Sequence, residues 1–255
     1  MPNSAHRITQ VIPQPANSDN ASALTVAPRA TWSLEGRKIG RYELIYHIAS
    51  GGMASVYAAR LTGMAGFERL VAIKVIHPHL ALEPTFIQMF QDEARLAARI
   101  SHPNVAEIYE LGESDGIYYM AVELVRGKDL SQILSKSRDK HIALPLRFLV
   151  EVVRQICDGL SEAHRLKGAN GTPLHLIHRD VSTRNILVSY SGHPKLIDFG
   201  AAFAHDRLAH TATGHIKGKI GYMPPEQIRG ESLDHRADIY SLGVVLYTAA
   251  TACHP

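Results

Sequence analysis

The sequence predicts an α+β protein built as two lobes with a cleft between them, and three observations carry that reading. Short apolar runs punctuated by glycine fill the first half of the chain from Arg41 onward. Long amphipathic stripes at helical spacing fill the second. Carboxylates recur at positions where packing alone would place apolar side chains. A β-rich half followed by an α-rich half segregates sheet from helices, and ligand clefts form where such layers meet. At 255 residues the chain is long enough for two modest cores.

Residues 1–36 are rich in Asn, Ser, Ala and Pro, lack apolar periodicity and read as a disordered leader. No apolar stretch follows Met1, so no secretory signal is expected, and the Asn20-Ala21-Ser22 sequon carries no weight without one. Tyr42–Ile48, Ser55–Ala59 and Leu70–Val75 read as three strands, the first two joined by a tight turn at Gly51-Gly52. Phe86, Phe90, Glu93, Ala97 and Ile100 fall on one face of a helix. Two further strands, near Val105–Leu111 and Ile117–Leu124, complete an antiparallel sheet.

After Gly127 the pattern turns helical. Leu149, Val152, Val153, Ile156, Leu160 and Ala163 mark a long amphipathic helix. Short strands at Ile186–Val188 and Lys195–Ile197 flank a polar loop, and an apolar helix begins near Asp234. Its most apolar run, Ile239–Cys253, is short for a bilayer and suits a core helix, so no membrane segment is expected within this chain. A net charge of +3 with scattered Lys and Arg argues against nucleic acid as partner. Cys157 and Cys253 have no metal-type spacing and read as reduced, buried thiols of a cytoplasmic protein. His205, His210 and His215 recur every five residues, which matches neither helix nor strand and argues against a metal site.

Four acids stand out: Glu93 within its helix's apolar stripe, Asp180 after Leu176-Ile177-His178-Arg179, Asp198 at the end of a strand, and Asp238 inside the most apolar helix. A buried carboxylate costs several kcal/mol unless a cation, a metal or backbone N–H groups answer it. Lys74, closing the apolar run Val71-Ala72-Ile73, is the cation that answers Glu93. The Gly51-Gly52 turn leaves backbone N–H groups open to a phosphate. Asp198 and Asn185 are hard oxygen ligands of the kind Mg²⁺ accepts beside a nucleotide, which leaves Asp180 to orient a hydroxyl. That set matches the needs of phosphoryl transfer.

These residues resemble the signature set of the eukaryotic-like (Hanks-type) bacterial serine/threonine protein kinases. Ala49-Ser50-Gly51-Gly52-Met53-Ala54-Ser55-Val56 is similar to the Gly-rich loop, in the Gly-Gly-Met form common among bacterial Ser/Thr kinases. Lys74 matches the strand lysine and Glu93 its helix partner. His178-Arg179-Asp180-Val181-Ser182-Thr183-Arg184-Asn185 resembles the catalytic loop, Asp198-Phe199-Gly200 the metal-binding motif, and Pro224-Pro225-Glu226 the Ala-Pro-Glu motif. The resemblance runs from about residue 40 to the last residue. It implies a bilobal kinase-like fold: an N-lobe over residues 37–124 with an antiparallel sheet and one helix, and a mainly helical C-lobe over 125–255 that lacks its last helices. It also implies ATP and Mg²⁺ as cofactors and a protein hydroxyl as acceptor. Asp180, Lys74 and Glu93 take the catalytic roles, and Asn185 and Asp198 hold the metal. Ile48, Ala49, Ser50, Gly51, Gly52, Val56, Ala72, Lys74, Glu123, Val125 and Leu187 line the nucleotide. Glu123–Val125 form the hinge to adenine, with Val122 as gatekeeper, and Asp238 braces the catalytic-loop backbone.

The departures are informative. Ala49 and Ala54 stand at the first and third loop-glycine positions, where an added methyl costs about 1 kcal/mol if φ is positive. Ser182 replaces the lysine that Ser/Thr kinases place two residues after the catalytic aspartate, while Lys219 takes a position where they usually carry threonine. The two changes read as a swap in which Lys219 supplies the missing charge. Arg179 before Asp180 marks kinases controlled by activation-loop phosphorylation, with Thr211 and Thr213 as acceptors. Kinase C-lobes continue past the helix at 238–252, so Glu226 would lack its arginine partner and the apolar helix part of its cover, which predicts low stability for this chain alone. A pseudokinase or nucleotide-binding scaffold, a small-molecule phosphotransferase and a tyrosine kinase remain open alternatives.

Overall fold

In a computed structural model of the chain, the described residues are 34–199 and 220–253. The first half forms a six-stranded antiparallel sheet in the order β1-β2-β3-β4-β6-β5. Its strands are β1 (Lys38–Ile39), β2 (Tyr42–Ser50), β3 (Ala54–Thr62), β4 (Glu68–Ile76), β5 (Ile108–Ser114) and β6 (Ile117–Glu123). The β2–β3 connection is the tight glycine turn, closed by a Gly51 N–H donating to the Ala54 carbonyl at 2.9 Å. Between β4 and β5 lie α1 (Pro78–Ala81) and α2 (Pro84–Ala97), each with proline in its first turn, where the missing N–H has no intrahelical partner to lose.

Period-two alternation gives the sheet two apolar faces. Tyr42, Leu44, Tyr57, Ile73 and Ala121 form one buried cluster, while Ile76, Phe86, Phe90, Ala94 and Met120 bind α2 to the other face. Leu34 is fully buried in the first cluster, and Glu35 accepts a hydrogen bond from the His47 N–H at 2.8 Å. Residues 34–36 therefore belong to the N-lobe, three residues earlier than the expected boundary, because a single leucine offered no periodicity to read. The rest of the expected leader lies outside the described residues. Beside this cluster Glu110 accepts hydrogen bonds from Tyr42, Tyr119 and Arg41. Burial pushes its carboxyl up, but those three donors outweigh that and hold it below its ordinary value. The Tyr119 hydroxyl, buried against the Glu110 charge, is pushed up to about 12.

The second half begins with β7 (Gly127–Asp129), which joins β8 (Ile186–Ser189) and β9 (Pro194–Leu196) in a small sheet. Any Cβ at Gly127 would meet the Val188 carbonyl oxygen at 2.0 Å, so only glycine lets β7 approach this closely. The helices are α3 (Leu130–Asp139), α4 (Leu146–His164), α5 (Pro225–Ile228) and α6 (Arg236–Thr251). Asp129 caps α3 through the Gln132 N–H. The C-lobe core joins Ile156, Leu160 and Ala163 of α4 to Val181, Ile186, Leu196, Leu242 and Val245. Burying each aliphatic side chain contributes about 1.5–3 kcal/mol, so the loop carrying Asp180 is anchored by its own apolar neighbours.

Boundaries differ from expectation where tertiary contacts intervene. Val105, expected to open a strand, makes an isolated bridge to Leu196, and β5 starts at Ile108. Ile100 is buried but follows the end of α2. Cys253 is exposed rather than buried, whereas burial pushes the Cys157 thiol up. On α6, Ile239, Tyr240 and Tyr247 are about half exposed. No described helix is long and apolar enough to cross a membrane.

Candidate functional site

Lys74 lies on the central strand β4, opposite Val56 of β3 and Met120 of β6. Two residues back, Ala72 faces Ala58 and Val122. Because directly paired residues of an antiparallel sheet share a face, Val56, Ala72, Lys74 and Val122 project from the same side. Ala49 pairs with Val56 at the end of that row, just before the glycine turn. Ile48 is exposed on the same strand.

From the C-lobe, β9 ends at Leu196 and the chain turns at Asp198, whose φ is +59°. Arg179 in the neighbouring loop also has a positive φ, +63°. Non-glycine residues reach that region at a cost of about 1–2 kcal/mol each, and such outliers cluster where function needs a fixed geometry. The turn delivers the Asp198 carboxylate to within 2.8 Å of the Lys74 ammonium, which is mostly buried. This contact joins the two lobes.

The loop 176–185 is held from several sides. The Asn185 amide donates to the Asp180 backbone carbonyl at 2.7 Å and to its carboxylate at 2.9 Å. The Ile197 N–H donates to the Asn185 carbonyl at 2.9 Å, which seats Asn185 next to the Asp198 turn. His178 is fully buried, edge-on to Phe199 at 4.6 Å. Its Nδ1 accepts the Asp180 N–H at 3.2 Å, so its Nε2 carries the proton and donates to the Ile197 carbonyl at 2.9 Å. Beneath the loop, the fully buried Asp238 accepts from the His178 N–H at 2.9 Å, the Arg179 N–H at 2.8 Å and the His164 Nε2 at 2.7 Å. The bracing role expected of Asp238 is thus a direct pair of backbone hydrogen bonds. Gln227 of α5 donates to the Arg179 carbonyl, and Tyr222 meets the Thr183 hydroxyl at 3.1 Å.

The other expected residues lie on several elements. Glu123 ends β6 and pairs with Lys195 at 2.9 Å, with Val125 two residues on and half-buried. Leu187 sits between Ile186 and Val188, which point into the C-lobe core, so it faces the opposite side of its strand. Ser50 and Ser55 share a 2.8 Å hydrogen bond across the glycine turn. Glu93 lies within α2, but its side chain is outside the described set, as are Gly200, Thr211, Thr213, Lys219 and the three histidines from 205 to 215. One premise needs correction. Of the described acids only Asp238 is fully buried; Asp180 is half-buried and the Asp198 side chain is 38% exposed. Asp180 and Asp198 keep access to solvent, and among the described acids Asp238 is the sealed one. Sequence reasoning missed His164, Tyr222, Gln227 and Lys195, whose roles come from contacts with distant segments and leave no local pattern. A cavity of about 540 Å³ between α3 and the end of α6 contains Thr183 but none of Lys74, Asp180, Asn185 or Asp198. The charges converge elsewhere.

A two-lobed α+β domain with a lysine–aspartate pair across the lobes and a braced Asp180–Asn185 loop defines a phosphotransferase-like class of arrangement. The profile of the protein kinase domain family matches residues 42–255. The chain belongs to the protein kinase domain family. It is 46% identical over 216 residues to the tyrosine-protein kinase MasK of Myxococcus xanthus, covering 85% of this chain and 33% of that protein. It is 35% identical over 223 residues to the serine/threonine-protein kinase PrkC of Bacillus subtilis, covering 87% and 32%. With the serine/threonine-protein kinase PknA of Mycobacterium tuberculosis it shares 37% over 221 residues, covering 85% and 48%. The chain spans about a third of the length of the first two relatives. The crystal structure of the Mycobacterium tuberculosis PknI kinase domain superposes with a TM-score of 0.65 at 27% identity, covering 87% of this chain and 78% of that one.

Proposed function

We propose that the chain transfers the γ-phosphoryl group of Mg-ATP to a serine or threonine hydroxyl of a protein substrate. The observation that carries this is the Lys74–Asp198 contact at 2.8 Å, with Asp180 and Asn185 tied together beside it. The residues fit the cofactor: the turn at Gly51-Gly52 and the Lys74 ammonium suit phosphates, and Asp198 and Asn185 offer the hard oxygens that Mg²⁺ takes. When bound, the metal would neutralise charge on the phosphates. Lys74 would hold and orient the phosphate chain, and Glu93 would hold Lys74. Ile48, Val56, Ala72 and Leu187 would enclose the base, with the Glu123–Val125 backbone along its edge. Asp180 would orient the acceptor hydroxyl and take its proton as the oxygen–phosphorus bond forms and the bond to ADP breaks. Asp180 is already positioned by Asn185 and His178, so little reorganisation is needed. The cytoplasm, where ATP is abundant, is the compartment this chemistry suits.

A tyrosine acceptor is the second reading. MasK is named a tyrosine-protein kinase, and Ser182 is small where Ser/Thr kinases carry lysine. PrkC, PknA and the Gly-Gly-Met turn support the first. Phosphoamino-acid analysis after incubation with Mg-ATP and a mixed protein substrate is expected to yield phosphoserine and phosphothreonine. Phosphotyrosine alone would transfer the assignment to the second reading.

The Ser182 hydroxyl is buried and has no hydrogen-bond partner among the described residues, two positions after Asp180. We assign to Lys219 the positive charge that Ser/Thr kinases carry on the lysine that Ser182 replaces. Lys219→Ala is expected to lower turnover at least about tenfold while ATP affinity stays within about twofold, the signature of an interaction realised in the transition state. Unchanged turnover would remove Lys219 from the site.

A further inference from the structure

We propose that His77 is a positioning residue for phosphate binding: it clamps the β2–β3 turn from outside and so aims the turn's N–H groups at the nucleotide phosphates. His77 follows β4 and is half-buried. Its ring Nε2 lies 3.0 Å from the Gly51 carbonyl oxygen, and its backbone N–H donates to the Met53 carbonyl at 3.0 Å. Because a carbonyl only accepts, Nε2 must carry a proton. The two carbonyls belong to the peptide units that also contain the Gly52 and Ala54 N–H groups. In a planar trans peptide the C=O and N–H vectors are antiparallel, so drawing both oxygens toward His77 turns both N–H groups away from it.

Beyond the Gly51 N–H bond to the Ala54 carbonyl that closes it and Met53 packed against the α2 cluster, the turn has few other means of keeping that orientation. No Cβ restricts Gly51 or Gly52, and nothing lies within 4 Å of where a Cβ on Gly52 would be. On the strand side, His47 Nε2 meets the Ser50 hydroxyl and Ser50 meets Ser55, each at 2.8 Å, which fixes the base of the turn but not its tip. His77 reaches the tip. Its ring also stacks on His79, with centroids 5.8 Å apart and planes 13° apart, which sets its direction. A phosphate site made of backbone donors gains affinity when those donors are aimed before the ligand arrives, since the ordering cost is then met in folding.

The inference rests on the nucleotide reading above, and the test separates the two. Mg-ATP affinity is measured by calorimetry for the wild-type chain, His77→Phe and His77→Gln, with a thermal melt of each. Phenylalanine keeps the ring and its stack but removes the donor; glutamine replaces the ring with an N–H donor of similar reach. His77→Phe is expected to weaken Mg-ATP binding about three- to tenfold, the value of one hydrogen bond, with an unchanged melt. His77→Gln is expected to stay within about twofold of wild type. Equal affinity for wild type and His77→Phe, or equal losses in the two variants, would overturn the clamp. A wild-type chain that binds no Mg-ATP would overturn the nucleotide reading itself.

Discussion

Asp180→Asn is expected to lower phosphoryl transfer to protein by about 10²–10⁴-fold while Mg-ATP affinity changes little. Asparagine keeps the shape and can still accept from the Asn185 amide, so the bond at 2.9 Å that holds residue 180 in place need not be lost. What disappears is the negative charge proposed to attract and accept the acceptor's proton. Loss of turnover without loss of nucleotide affinity separates that role from binding. Filter-binding or phosphopeptide assays of wild type and variant at saturating Mg-ATP give the first quantity, and calorimetry the second. Wild-type chain that binds Mg-ATP but transfers nothing would favour a nucleotide-binding scaffold. A variant with full turnover would remove Asp180 from the chemistry.

Asp238→Ala is expected to produce the largest effect on stability. Its carboxylate is fully buried and accepts from two consecutive backbone N–H groups and from His164. Removing it leaves one buried and two half-buried donors without that acceptor, at up to about 1–3 kcal/mol each, and breaking a buried hydrogen-bonded network of this kind costs about 3–5 kcal/mol. For a domain of this size that corresponds to a fall in Tm of about 10 °C. The donors at His178 and Arg179 immediately precede Asp180, so turnover should fall even at temperatures where the variant is folded. A melt shifted by less than about 2 °C would show that the loop does not depend on this anchor.

Much of the fold was legible in the sequence because its elements obey local periods. The short runs punctuated by glycine that form Tyr42–Ser50 and Ala54–Thr62, and the stripe from Leu149 to Ala163, are readable from local sequence alone. Elements without a period escaped. The two-residue β1 and the three-residue β7 exist because neighbouring strands offer hydrogen bonds, and Leu34 is buried because the sheet's far face needs a cover. Among the described acids singled out, the expected burial held at Asp238 and not at Asp180 or Asp198, since an acid open to solvent and one sealed beneath a loop look alike in a string of letters.

By itself the sequence determined which chemical groups exist and in what order: a lysine ending an apolar strand, a glycine turn before it, and acids and an asparagine after it. Those choices depend on side-chain chemistry and near-neighbour spacing, which the chain carries at every point. Only the tertiary structure decided which groups meet. Lys74 and Asp198 are 124 positions apart, and Asp238 reaches back 60 positions to hold the His178 N–H. Such contacts follow from how two lobes pack and how a loop is trapped between helices, and the free energy of that packing is spread over the whole core.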